Sequence, residues 1–571
     1  WYRYHHLFQE MLRATLQNKA NADEIAALHC RASDWFAANG HIEDALRHAL
    51  AAGAVESAVQ LVEDNAHNLL NRLERHTLER WLSLLPRNAV GQRPSLLVAQ
   101  AWLLYRQSRM TELDIILDTA DACLNRNKDF PDSADKRAVW GQIHALRSGT
   151  AYLLHEDFEH SIVSAERALE WLPTTERGAR GTALGYWALA QQATGRQETG
   201  IRRLEETLTN PLSQGVAGTQ VFLGLCLTHF MAGEMHQMLG ATHRFLEFAT
   251  KLQQANAIVG SHWLAGYCHY ELNDLAAAAR HFSQARQLRY QSNFVATFSS
   301  AMGLARIQQA NNELETAQET IVGLHAEALS LNNTDLLPLV DSIQAKQALL
   351  QNDVAPALRW ARALVAGARK ESPFWFEQTG LTKARILVAA GADEEVQDVR
   401  CALQDQLAVA RKQHRVRSVI AILAQLALAH DRLGELDQAL AALEEALSLA
   451  EPGGFIRSFV DAGPQLKPLL FRMKQSSINT PYLADLLAAF GEGALPAPVL
   501  PASPGLLLTR REEEILGLMR DGLTNKEIAN QLVISVHTVK RHATNIYTKL
   551  DVRSRRQAIR KAQQSGLLHA S

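Results

Sequence analysis

Cysteine is scarce and scattered: Cys30, Cys123, Cys226, Cys268 and Cys401 lie far apart, odd in number and with no C-x-x-C pair. That excludes a zinc-ribbon spacing and a disulfide framework, and it fits a reducing cytoplasm. No apolar run approaches the roughly 18 residues of a membrane span, so no membrane partner is expected. Alternating β-branched runs are nearly absent, which argues against sheets. There is no G-x-x-x-x-G-K-[ST] segment, hence no phosphate cradle, and no cofactor is expected within these residues. No nucleophile, base and orienting group occur together, so the chain reads as a non-enzyme. The start, Trp1-Tyr2-Arg3-Tyr4-His5-His6, lacks an initiator Met and an apolar signal region and reads as part of a longer chain. His5 and His6, with Glu10 nearby, do not have H-E-x-x-H spacing; adjacent histidines point to different sides of a helix and read as packing residues.

What is present is a chain of 571 residues, too long for one core, with 47% hydrophobic and 21% charged residues. The net charge of -2 is unevenly spread. From Leu506 onward twelve Lys/Arg face six Asp/Glu, an excess of +6 that leaves -8 on the preceding 505 residues. One end is thus built for a polyanion.

Residues 491–505, GEGALPAPVLPASPG, carry prolines at 496, 498, 501 and 504, which break helices and mark a linker. Before it the chain is Ala/Leu-rich with helical spacing, so the body is expected to be all-α. A pattern of small residue, large residue, turn residue and further small residues recurs. Gly149, Tyr152, Glu156, Ser161, Ala165 and Ala168 form one copy; Gly266, His269, Asn273, Ala278, Phe282 and Ala285 form another; Leu423, Ala427, His430, Gly434, Ala439, Leu443 and Ala446 form the clearest. Turn positions fall at 156, 195, 233, 273, 312, 352, 391 and 434, at intervals of 39, 38, 40, 39, 40, 39 and 43. Each period reads as a helical hairpin in which Gly or Asn ends the first helix at φ > 0 and small residues let the two helices approach. A lone hairpin exposes an apolar face that only the next can cover, so the units stack. Gly40, Ala45 and Ala49 suggest a similar hairpin, whereas 60–145 fits the register poorly.

The last segment is parsed by local rules. Thr509 with Glu512 makes a capping box for a first helix whose stripe is Ile515, Leu516 and Met519, and Asp521-Gly522 stops it. Thr524 with Glu527 caps a second, with Ile528, Ala529 and Leu532 inward. Ser535 caps a third, with Val539, Ile546 and Leu550 inward. The third helix then presents His537, Lys540, Arg541 and Thr544 at i, i+3, i+4 and i+7, donors and a methyl group suited to base edges in a major groove. Thr524, Asn525, Lys526, Ser535, Thr538, Asn545 and Lys549 sit at helix ends or flanks, where hydroxyl, amide and ammonium groups meet phosphates. A fourth helix from about Ser554 to Gln564 gathers Ala558, Ile559 and Ala562 on one side, for either a dimer contact or packing within the domain.

The hairpin array resembles tetratricopeptide repeats, with about 40 residues where those have about 34. Leu508 to Leu568 resembles the LuxR-type helix-turn-helix through LTRREEEIL, GLTNKEIA, the IS and TVK stretch and the NI and KL stretch. That resemblance implies a four-helix domain binding double-stranded promoter DNA, Lys540, Arg541 and Thr544 where bases are touched, and self-association on DNA through the fourth helix. WYRYHHLFQEML, residues 1 to 12, is similar to the segment closing the winged helix in large MalT-like LuxR regulators. Those are similar to signal-transducing ATPases, which implies ATP in a module upstream of this chain, an inducer or protein on the superhelix, RNA polymerase as a partner, and activation.

The expected fold is all-α: residues 1–60 end a winged-helix region and begin the hairpins, 61–490 form a TPR-like superhelical sensor, 491–505 link, and 506–571 form the helix-turn-helix. A different reading makes the array a protein-interaction scaffold with secondary DNA binding, since a concave groove suits peptides as readily as small ligands.

Overall fold

The computed structural model describes residues 6–72, 75–126, 134–209, 215–288, 294–330, 336–364, 373–476, 480–491, 510–532, 536–549, 552 and 554–564. Their regular structure is helical throughout. Helices pair in sequence: Arg177–Ala193 with Gln197–Thr209, Val216–Ala232 with Met235–Lys251, Ala255–Glu271 with Leu275–Gln287, Phe294–Ala310 with Leu314–Ser330, and onward to Val416–Arg432 with Leu436–Ala450. Within each pair small side chains line the seam; Ala278 and Ala285 are both fully buried. Gly266 shows why smallness matters, because a Cβ there would lie 2.6 Å from the Phe282 ring.

The turn rule holds at seven of its eight positions. Glu156, Gly195, Gly233, Asn273, Asn312, Asn352 and Gly434 all adopt left-handed φ between 53° and 79°. Gly391 does not: its φ is -77°, and its N–H donates to the Leu387 carbonyl at 2.7 Å. The next helix, Asp393–Lys412, starts at once, with the Ala392 N–H donating to Glu395 at 2.9 Å, so this connection needs no left-handed residue. Before Glu156 the first helix widens into a π-helical turn, Ala151–His155.

The poorly fitting stretch is also helical, with a hairpin of Pro94–Arg106 and Met110–Arg126 turning at Ser108, φ 56°. The expected boundary at residue 60 is corrected. It falls inside Val55–Arg72, and one apolar cluster runs from Leu46 through Val59, Val62 and Trp81 to Leu103. Cutting there would open a core, so the first hairpins and the array are continuous. His5 lies outside the described residues, as does most of the 491–505 linker.

The array curls until it meets itself. First helices of the hairpins touch later chain: Tyr152 stacks on Phe374 at 6.2 Å, Gln192 donates to the His414 carbonyl at 2.7 Å, and Arg415 pairs with Glu156 at 3.2 Å. Phe376 inserts between Tyr267 and Tyr270, at 4.9 and 5.0 Å. Arg417 lies 5.0 Å over both Phe230 and Tyr267. The Ile456 N–H donates to the Glu271 carbonyl at 2.9 Å, and the Tyr270 hydroxyl donates to Asp461 at 2.6 Å. Residues 374–376, 413–417 and 456–461 thus pack against earlier hairpins far from them in sequence.

Candidate nucleic-acid interface

Four helices close the chain: Arg510–Arg520, Asn525–Gln531, Val536–Lys549 and Arg555–Gln564. They share one small core of Ile515, Leu516, Met519, Ile528, Ala529, Val539, Ala543, Ile546, Ala558 and Ala562. Gly522 takes φ 87° and ends the first helix as its position requires. The second begins with a complete capping box. Thr524 N–H donates to Glu527 at 2.7 Å, while the Glu527 N–H donates back to the Thr524 hydroxyl at 3.4 Å. The Thr524 N–H and the Thr524 hydroxyl, which also donates to the Glu527 carboxyl at 2.7 Å, hold that carboxyl below the usual carboxylate range.

The third helix buries Val539, Ala543 and Ile546, spaced four and three residues apart. Its opposite face therefore carries Lys540 and Thr544, both exposed. They are successive on that face: the Thr544 hydroxyl donates to the Lys540 carbonyl at 3.1 Å. His537, Thr538, Arg541 and Lys549 lie on the same helix, but their side chains are outside the described set, as are Thr509, Ser535 and Leu550 altogether. Among flanking candidates, Thr524, Lys526 and Asn545 are exposed and Asn525 is half-buried. An exposed ammonium at Lys540, between buried Val539 and Ala543, gives the helix one apolar and one donor-bearing side, the arrangement that lets a helix lie in a groove while anchored behind.

Of the two readings of the fourth helix, packing within the domain describes two of its three residues. Ala558 and Ala562 are fully buried in the domain's own core, so they hold the fourth helix onto the first. Ile559 packs at the edge of that core. The outward side of the fourth helix is formed by exposed Arg556, Gln557 and Arg560.

Arg555 was not anticipated. Its guanidinium donates to the Met519 and Leu523 carbonyls at 2.7 and 2.6 Å, satisfying acceptors at the end of the first helix. Its signal was a basic side chain opening a helix, which without coordinates reads as one more surface charge. Ala543 completes the Val539 and Ile546 stripe and was legible from spacing.

Two family models match the chain: the MalT-like TPR region over residues 141–476, and the bacterial regulatory proteins of the luxR family over 506–562. The chain belongs to the MalT-like TPR family. The HTH-type transcriptional regulator MalT of Klebsiella pneumoniae (strain 342) is 26% identical over 615 residues, and that of Serratia proteamaculans (strain 568) is 26% identical over 610; each alignment takes in 99% of this chain. The chain spans 64% of the length of those relatives. Among solved structures, a Rap protein complexed with competence and sporulation factor has 12% identity and a TM-score of 0.42, covering 70% of this chain and 99% of that one. A score that low carries nothing further to this MalT-like chain. Among its described helices, none is long and apolar enough to cross a membrane.

Proposed function

We propose that this chain is the sensor and DNA-reading part of a cytoplasmic transcription regulator. The C-terminal helix-turn-helix binds duplex promoter DNA, and the curled array responds to an inducer or protein partner. The observation that carries it is Lys540 and Thr544 on the exposed side of a helix whose other side is locked in a four-helix core. Lys540, Arg541, Thr544 and His537 take the base edges. Thr524, Asn525, Lys526, Ser535, Thr538, Asn545 and Lys549 take phosphates. Two copies meet on a two-fold DNA site through the fourth helix's outward face and Ile559, RNA polymerase is recruited, and transcription rises. On this reading the chain itself needs no cofactor and performs no chemistry, and ATP binding is assigned to a module upstream of these residues.

The test is titration of the 571-residue chain against a labelled duplex selected from a random pool, between 50 and 200 mM salt. Affinity is expected to fall with slope about -0.9 per phosphate contacted, in log-log form. Binding indifferent to salt ends this reading.

A further inference from the structure

Where the curled array meets its own end, an unusual number of cations is buried. Arg306 from Phe294–Ala310, Lys346 from Leu337–Leu350, Arg385 from Thr379–Ala390 and Arg457 from Arg457–Val460 converge on Asp461. Arg306 reaches Asp461 at 2.5 Å and Glu377 at 3.8 Å, and Arg457 pairs with Asp461. Four cations thus share two carboxylates, Asp461 and Glu377. Both carboxylates are already engaged: Glu377 also accepts from Ser342 at 2.8 Å, and Asp461 from the Tyr270 hydroxyl at 2.6 Å. Going one residue further out brings Arg417 and Glu271 together and leaves the excess unchanged.

The donors there are also incompletely used. Among the described residues, the Nε atoms of Arg306, Arg385 and Arg457 are buried without an acceptor. Lys346 is 6% exposed, and its ammonium has only a 3.8 Å approach to Asp461, too long for a hydrogen bond. Burial pushes that ammonium well below the ordinary lysine range; Arg306 and Arg385 push the same way, against Asp461 and Glu377. For Asp461, burial alone would raise the carboxyl, but Arg457, Lys346 and Arg306 hold it well below its usual value. Fixed cations with free N–H groups, in surplus over carboxylates and shielded from water, are the elements of an oxyanion site. A neutral polyol would satisfy the donors and leave the charge excess; an oxyanion removes both.

We propose that Arg306, Lys346, Arg385 and Arg457 form a binding site for a small oxyanion, the phosphate or carboxylate group of the inducer. The proposal rests on the sensor reading above and gives it a ligand class. The site draws on first helices of three hairpins and on the segment at 457–461, so a bound anion ties the end of the coil to its middle and favours the closed form.

The experiment is thermal melting of the 571-residue chain with inorganic phosphate or with succinate, at constant ionic strength set by chloride. The expected result is a saturable rise in Tm of about 2–4 °C at low millimolar anion, distinct from the linear rise that excluded salts give. Saturation with phosphate alone identifies a phosphate site, and with succinate alone a carboxylate site; either supports the proposal. Lys346→Met, which removes a poorly paired buried charge, is expected to melt no lower than the parent and to lose the rise. Arg385→Gln is the second variant, expected to fold and to show at least a tenfold weaker response. No saturable rise in either anion, or an equal rise in both variants, overturns the proposal. Duplex binding is measured on the same samples: intact DNA binding with no anion effect rejects the site alone, whereas loss of DNA binding by the parent chain rejects the regulator.

Discussion

Lys540 is exposed, so replacing it disturbs no core and its effect falls on binding. Lys540→Ala is expected to weaken specific duplex binding by about 1–3 kcal/mol, about 5- to 150-fold, with the circular dichroism spectrum unchanged. Fluorescence anisotropy decides it; equal affinity for selected and scrambled duplexes in the parent would remove the base-reading role. Thr524 tests a different residue-level device. Thr524→Ala removes the hydroxyl that accepts from Glu527 N–H and is expected to cost about 1 kcal/mol of helix stability. Hydrogen exchange should quicken at amides 525–531 and stay unchanged in the array; uniform exchange across both would show that the cap does nothing locally.

At the scale of the helix pair, Gly266 and Phe282 fix how close two helices come. Gly266→Ala puts a methyl group 2.6 Å from a fully buried ring and is expected to cost about 1–3 kcal/mol, read as a lower Tm. The same pair carries a histidine cluster. His262 and His281 approach at 2.9 Å through their Nδ1 atoms, and His281 stacks on His269 at 5.4 Å. Burial, with His262, His269, His243 and Arg280 adding to it, lowers His281 to about 4. A histidine held neutral in the fold stabilises it fully above its unfolded value of about 6.5, and that stabilisation fades as pH falls toward 4. His281→Gln should therefore flatten the loss of Tm between pH 6.5 and 4.5; parallel curves would place the acid sensitivity elsewhere. Hairpins themselves were legible, because Gly and Asn at six of the seven left-handed turn positions and small residues at the seam are demands of local geometry. The capping box at Thr524 was legible for the same reason. Gly391 misled because its glycine serves a close backbone approach, which spacing alone does not distinguish from a left-handed turn. Ala558 and Ala562 left two readings open because an alanine face is equally suited to a partner and to the domain's own core, where both are buried.

For the whole molecule the decisive contacts join residues far apart in sequence, and these no periodicity could announce. Phe376 against Tyr267 and Tyr270, and Asp461 with Tyr270 and Arg306, depend on how far the array turns. Asp461→Asn would leave buried cations without their principal counter-charge and is expected to destabilise by about 3–5 kcal/mol. Limited proteolysis should then cut within 373–378 faster than in the parent; unchanged cutting would show that Asp461 does not hold the array shut. The charge excess beyond Leu506 was legible from composition, but the four cations that gather around Asp461 come from separate stretches, and only the completed curl brings them together.

The curl also restricts how such a chain can grow. In an open stack each unit meets only its neighbours, so one can be duplicated or lost at modest cost. Here an extra hairpin between Glu156 and Asp461 would rotate everything after it about the coil axis, and Arg415 would arrive one step away from Glu156, and Asp461 from Tyr270. A change in hairpin number within that span would therefore break the long-range pairs, so the curl itself resists insertions that an open stack would tolerate.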